Sequence, residues 1–156
     1  MPYNLSIVLV APEIPTNTGT IGRICLATNS ILHLVDPLGF EIDDSRVKRA
    51  GLDYWKHLKI VRHKDLKAFF ESLPPKAPTV FFSTRATKSV FEQKFKKGSY
   101  LIFGSETKGL GKKLLEKFSS IKIDEFTTAK TIGKFSSTKI DEFCYCKNCW
   151  KNSHLS

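Results

Sequence analysis

Two stretches of the chain carry residue types from which a ligand site can be built. The first is Ser99–Gly111, SYLIFGSETKGLG. Its apolar run Tyr100–Phe103 reads as a strand buried on both faces of a parallel sheet. The run stops at Gly104 and the loop closes on Gly109-Leu110-Gly111, after which Leu114, Leu115 and Phe118 fall at helical spacing. Buried strand, tight glycine-rich loop and helix together put a ligand at the carboxyl end of a sheet. The same pattern also serves as a plain strand-to-helix turn. Neither a dinucleotide fingerprint nor a P-loop fits, because the glycine spacings differ and no Lys-Ser/Thr pair follows. The second stretch is Pro12–Arg23. Pro12-Glu13-Ile14-Pro15 cannot continue a strand, and Thr16-Asn17-Thr18-Gly19 is expected to turn the chain. A helix is then expected over Thr20–Ala27, with Ile21, Ile24, Cys25 and Thr28 on one face and Arg23 off it. Arg23 is either a guanidinium placed by the rigid turn beside Asn17 and Gly19 or a solvated surface charge.

Other residues offer weaker chemistry. Arg46, Lys48 and Arg49 precede Tyr54 and Trp55. Basic side chains beside aromatic rings can hold phosphates while a ring stacks on a base; alternatively, Trp55 docks on the core or on a second subunit. His33 sits inside an apolar run and reads as a packed or edge histidine rather than a general base. Cys144-x-Cys146-x2-Cys149-x4-His154 supplies residues of zinc-ligand type, but in a spacing that fits no common zinc module.

The elements that must position these residues follow from the apolar patterning. Leu5–Val10, Ile31–Val35, Leu58–Val61, Thr79–Thr84, Tyr100–Phe103 and Ser120–Ile123 read as strands. Asp65 caps a helix with Leu66, Phe69, Phe70 and Leu73 on one stripe. Strands separated by helical segments imply an α/β parallel sheet with helices on both faces and right-handed crossovers.

Bulk properties narrow the partner. A chain of 156 residues suits one domain able to bury a core. The formal net charge is +10, from 25 Lys+Arg against 15 Asp+Glu, which favours a polyanion such as RNA through counterion release. No apolar run approaches the roughly 18 residues that span a bilayer. Leu5–Val10 is too short for a signal-peptide core, so no membrane association and a cytoplasmic location are expected. Cys25 stands apart from the three tail cysteines, which is no disulfide framework.

Four motifs together resemble a known family. They are Pro12-Glu13-Ile14-Pro15-x-Asn17-x-Gly19-x3-Arg23-x-Cys25, Leu32-His33-Leu34-x2-Pro37-Leu38-Gly39-Phe40, Arg49-Ala50-Gly51-Leu52-Asp53-Tyr54, and Phe103-Gly104-x-Glu106-Thr107-x-Gly109-Leu110. In unbroken order over residues 4–123, they resemble the small SPOUT-class RNA 2'-O-methyltransferases, nearest the group that modifies the wobble nucleotide (cytidine or uridine 34) of tRNA. The resemblance implies a SPOUT-type fold with a C-terminal trefoil knot and methyl transfer from S-adenosylmethionine to a ribose 2'-hydroxyl. It implies Arg23 and Asn17 as catalytic residues. Phe82, Gly104, Glu106, Gly109, Leu110 and Ile123 match cofactor-binding positions, and Arg46, Arg49 and Tyr54 would contact the tRNA anticodon stem-loop. It also implies a homodimer and no metal.

After Ile123 the family continues with Pro-Met and an Arg-Ser-Leu-Asn-Leu-Ser-like segment that completes the pocket and threads the knot. Here Asp124-Glu125-Phe126-Thr127-Thr128 follows instead. The organisation expected is therefore a methyltransferase domain over 1–123 and an atypical tail over 124–156. Lys117–Phe126 and Lys134–Phe143 agree at nine of ten positions, Ile121 against Thr138 being the difference. Two copies are too few for a solenoid, and a local duplication or a reading-frame change explains them. The function classes are thus an active tRNA 2'-O-methyltransferase, a catalytically impaired RNA-binding protein of the same fold, and a basic nucleic-acid module with a tail zinc site.

Overall fold

The computed structural model describes residues 4–42, 53–83, 86, 89–92, 94–111 and 126–130. Its strands are β1 (Leu5–Val10), β2 (Ile31–Val35), β3 (Ile60–His63), β4 (Thr79–Ser83), β5 (Ser99–Phe103) and β6 (Phe126–Lys130). Helix α1 spans Pro15–Ala27 and α2 spans Leu66–Glu71. Short 3-10 turns occupy Asp53–His57 and Val90–Glu92.

The described strands form one parallel sheet in the order β3-β2-β1-β5-β4-β6. Alternation along each strand divides the core. Ile7, Leu9, Leu32, Leu34, Val80, Phe82, Leu101 and Phe103 face α1, where Ile21 and Cys25 meet them. Val8, Val10, Val35, Phe81 and Ile102 face the other layer and pack on Phe69 of α2. Strands buried on both faces need apolar residues at every position, which is why LSIVLV and SYLIF are nearly continuous runs. Helices therefore cover both faces, as expected.

Two element boundaries differ from expectation. Helix α1 begins at Pro15 rather than after Gly19, so Thr16-Asn17-Thr18-Gly19 is its first turn and not a loop. Proline is preorganised for the first helical position, where its missing N–H would be unpaired anyway. β3 begins at Ile60; Leu58 instead joins the core below α1. Trp55 packs there too, and a Cβ on Gly22 would stand 2.9 Å from Leu58 and 3.2 Å from Trp55. Asp65 caps α2 as anticipated, accepting from the Ala68 amide at 2.7 Å.

Ser120–Ile123, anticipated as a strand, lies outside the described residues, as does the expected helix with Leu114, Leu115 and Phe118. The sixth described strand is Phe126–Lys130, paired in parallel with β4.

The strand order fixes where a ligand can sit. The chain lays β2 and β3 on one side of β1 and β5, β4 and β6 on the other. The loops leaving β1 and β5 therefore diverge to opposite sides of the sheet, which opens a crevice at their carboxyl ends.

Candidate active site

Both sequence motifs lie at this switch point, and polar side chains tie them together. The chain leaves β1 through Ala11, held at φ 49, a left-handed conformation that costs a non-glycine residue about 1–2 kcal/mol. Glu106, in the loop after β5, directs its carboxylate back across the crevice. Its Oε2 accepts from the Glu13 amide at 2.7 Å, and its Oε1 accepts from the Ile14 amide at 3.2 Å and from Asn17 Nδ2 at 3.3 Å. Ile14 is the N-cap of α1 and offers no side-chain cap of its own. A carboxylate from 92 residues away thus satisfies amides at the start of the helix, where a negative charge also opposes the helix dipole.

The β5 loop is a closed turn. Ser105 and Gly109 bridge, the Gly109 amide donates to Ser105 O at 2.8 Å, and the Lys108 amide donates to Ser105 Oγ at 3.2 Å. Gly109 holds φ 62, and the space where its side chain would stand is open. Gly104 is different. A Cβ there would run into the backbone of Gly109 and Leu110, so its lack of a side chain lets the loop fold onto itself rather than making room for a ligand.

Arg23 is exposed on α1, about 9 Å along the helix axis from Asn17 at 1.5 Å per residue. Its guanidinium lies over the Tyr54 ring, 5.3 Å from the centroid. The Tyr54 hydroxyl donates to Gly19 O at 2.7 Å. Burial pushes that hydroxyl's pKa up, against the opposing pull of the Arg23 guanidinium, so it stays a protonated donor at neutral pH. Tyr54 was expected as a tRNA contact, yet its hydroxyl and one ring face are engaged within the chain. No local pattern announces this: the bond spans 35 residues.

The remaining expected site residues divide three ways. Phe82 and Leu110 are in position near the crevice, but their side chains are buried. Phe82 stacks on Phe103 with centroids 4.4 Å apart, and Leu110 packs with Val8, Val10 and Ile102. Only their backbone is left to face a ligand. Glu106, Gly104 and Gly109 shape the loop as described above. Arg46, Arg49 and Ile123 lie outside the described residues, as do the tail cysteines and His154. Among the described residues, no group of three or more His, Cys, Asp and Glu could hold a metal ion.

Away from the crevice, His33 is the packed histidine that its surroundings suggested. Its Nδ1 lies 2.9 Å from His63 Nε2, and Phe69 and Tyr100 close the cluster. Burial, then the His63 and Lys59 charges, lower its pKa to about 4.

The family model for the SpoU rRNA methylase family matches residues 4–131. The chain belongs to this family. Both the match and strand β6 run past Ile123. Among SpoU-family relatives, the chain is 46% identical over 114 residues to a tRNA (cytidine(34)-2'-O)-methyltransferase of Burkholderia cenocepacia, covering 72% of this chain and 73% of that one. It is 43% identical over 112 residues to the enzyme of the same name from Escherichia coli, covering 72% and 71%. A solved structure described as giving insight into 2'-OH methylation of C/U34 on tRNA superposes with a TM-score of 0.79 at 34% identity, covering 97% of this chain and 91% of that one. AviRb from Streptomyces viridochromogenes, a SpoU methyltransferase solved with AdoMet, shares the fold with a TM-score of 0.70 at 18% identity.

Proposed function

We propose that this chain transfers a methyl group from S-adenosylmethionine to the ribose 2'-hydroxyl of nucleotide 34, the wobble position of tRNA. One observation carries this proposal: the Glu106 carboxylate joins the β5 loop to the start of the helix bearing Asn17 and Arg23. Relatives named for that reaction, at 43–46% identity, support the substrate. The Gly104–Leu110 loop fits a nucleoside cofactor, offering backbone around an open Gly109 at the carboxyl end of β5.

When bound, S-adenosylmethionine supplies an activated methyl on a sulfonium, a good leaving group. What remains for the protein is to hold the nucleophile in line and help its proton leave. Arg23 meets the second need: a cation beside a hydroxyl favours the deprotonated form. The Tyr54 ring and the Tyr54–Gly19 hydrogen bond hold that side chain's setting. Asn17 acts through Glu106, keeping the first turn of α1 against the β5 loop.

Arg46 and Arg49 are the proposed phosphate contacts, consistent with a net charge of +10. A second copy of the chain is proposed to cover part of α1, where Ile14 and Leu26 are exposed, giving a homodimer. No helix among the described residues is long and apolar enough to cross a membrane, and a cytoplasmic location is proposed with the tRNA substrate.

The test uses the full chain with S-adenosylmethionine and two anticodon stem-loops, one with ribose and one with 2'-deoxyribose at position 34. Methyl transfer to the first alone is the expected result. Transfer to neither, or equally to both, refutes the proposal.

A further inference from the structure

The junction at the switch point holds a second connection, running in the opposite direction to that of Glu106. The Glu13 carboxylate crosses to the tip of the β5 loop, where its Oε1 accepts from Thr107 Oγ1 at 2.8 Å and its Oε2 from the Thr107 amide at 3.2 Å. Glu13 thus gives its amide to one loop residue and its carboxylate to the next. Its own backbone is fixed from behind. The Gly39 amide donates to Pro12 O at 2.9 Å, and a Cβ on Gly39 would come within 2.8 Å of Glu13 Cα. Pro12 and Pro15 restrict the backbone on either side. Glu13 is therefore a stiff post. Thr107, by contrast, is exposed at the apex of a turn whose other hydrogen bonds are internal, between Ser105 and residues 108–109.

We propose that Glu13 and Thr107 are positioning residues that set the register of the β5 loop against α1. The inference rests on the proposed methyl transfer, because it takes the β5 loop to hold the methyl donor and α1 to present Arg23 to the ribose. Two elements that each bind one reactant must be held in fixed register for in-line attack, and a displacement of about 1 Å can cost about 10²-fold in rate. Glu106 anchors the base of the loop; Glu13 anchors its apex. Losing the apex contact leaves both binding surfaces in place and lets one drift relative to the other. Its signature is a loss in the chemical step with both affinities preserved.

The experiment compares the full chain with Thr107→Val, Glu13→Gln, the double variant and Thr107→Ser. Thr107→Val keeps the amide and the shape while removing the hydroxyl donor; Thr107→Ser keeps the donor. Single-turnover transfer to the stem-loop is expected to fall about 10-fold in Thr107→Val and in Glu13→Gln. The double variant is expected to fall no further than the worse single, because both remove one contact. Thr107→Ser is expected to transfer within about 2-fold of wild type, and dissociation constants for S-adenosylmethionine and RNA to stay within about 3-fold throughout. A second readout needs no cofactor: amide hydrogen exchange of residues 105–109 in the free protein should quicken at least about 5-fold in both single variants. Losses that multiply in the double variant, that appear as weakened cofactor affinity, or that persist in Thr107→Ser overturn the assignment, as does unchanged exchange. If the wild type transfers no methyl group, the proposed reaction fails, and the exchange rates still decide whether the clasp holds the loop.

Discussion

Removing the Glu106 side chain tests whether one carboxylate joins the two halves of the site. Glu106→Ala deletes the acceptor for the Glu13 amide, the Ile14 amide and Asn17 Nδ2. A hydrogen bond to a charged group contributes about 1.5–3 kcal/mol when its partner is buried. Glu106 and Glu13 are only partly buried and Ile14 is exposed, so water re-enters and recovers part of each. A net loss of about 2–3 kcal/mol is expected, which lowers the melting temperature of a chain this size by about 5–10 °C. Glu106→Gln separates charge from shape. With its carbonyl at the Oε1 position it keeps the Ile14 and Asn17 bonds but turns an NH2 towards the Glu13 amide, donor against donor. About half the loss is expected. Thermal unfolding followed by circular dichroism, with the three proteins side by side, measures both. An alanine variant melting within about one degree of wild type, or a glutamine variant below it, refutes the argument.

Gly104→Ala should lose cofactor affinity and several degrees of melting temperature together, because its Cβ meets the Gly109–Leu110 backbone and forces the turn open; calorimetry and a melting curve check both. Arg23→Ala should cut methyl transfer at least ~10²-fold with cofactor affinity within a few fold, since its side chain is exposed and sits off the β5 loop; wild-type turnover would end its assignment. Tyr54→Phe keeps the ring under Arg23 and drops the bond to Gly19 O, so about 1 kcal/mol of stability should go, read as a few degrees in a melting curve. The pH dependence follows from His33. Its folded pKa of about 4 lies below the ordinary 6.5, so the unfolded chain takes up a proton that the folded one refuses. Stability from this group is complete above pH 6.5 and drains away as pH falls towards 4, by about 3 kcal/mol at 1.36 kcal/mol per pKa unit. The lowered His63 adds to the same slope. Melting temperatures between pH 7.5 and 4.5 should fall with pH, and His33→Gln should flatten the curve.

Local sequence settled the strands because a doubly buried strand leaves a run with few alternatives. Leu5–Val10 and Ile31–Val35 begin and end where their apolar runs do. The start of α1 was not legible. Pro-Glu-Ile-Pro followed by Thr-Asn-Thr-Gly has the composition of a turn, and its helical state depends on Pro15 taking the first position and on Glu106 capping from afar. Tyr54 misled for a related reason. Basic neighbours suggested an RNA contact, but its partners are Gly19 and Arg23 on a helix packed against it. Family resemblance found the motifs containing Glu106 and Asn17, and it could not say that they bond each other. The His33–His63 pair needed the register: Val35 lies opposite His63, so residues 33 and 63 share a face only once β2 and β3 are aligned.

The central place of β1 has a consequence for how the chain is made. β1 can pair with β2 as soon as Val35 has been synthesised, but its other edge waits for Phe103. Those roughly 70 residues take about 3–14 s at 5–20 residues per second. Throughout that interval β1 offers a free apolar edge, and β4, though already made, has no neighbour to join, because its place in the sheet lies beyond β5. Such an edge is a template for pairing with another chain. The strand that completes the crevice for catalysis is therefore also the one that closes the nascent sheet, and a chain stalled before residue 99 is the form most prone to aggregate.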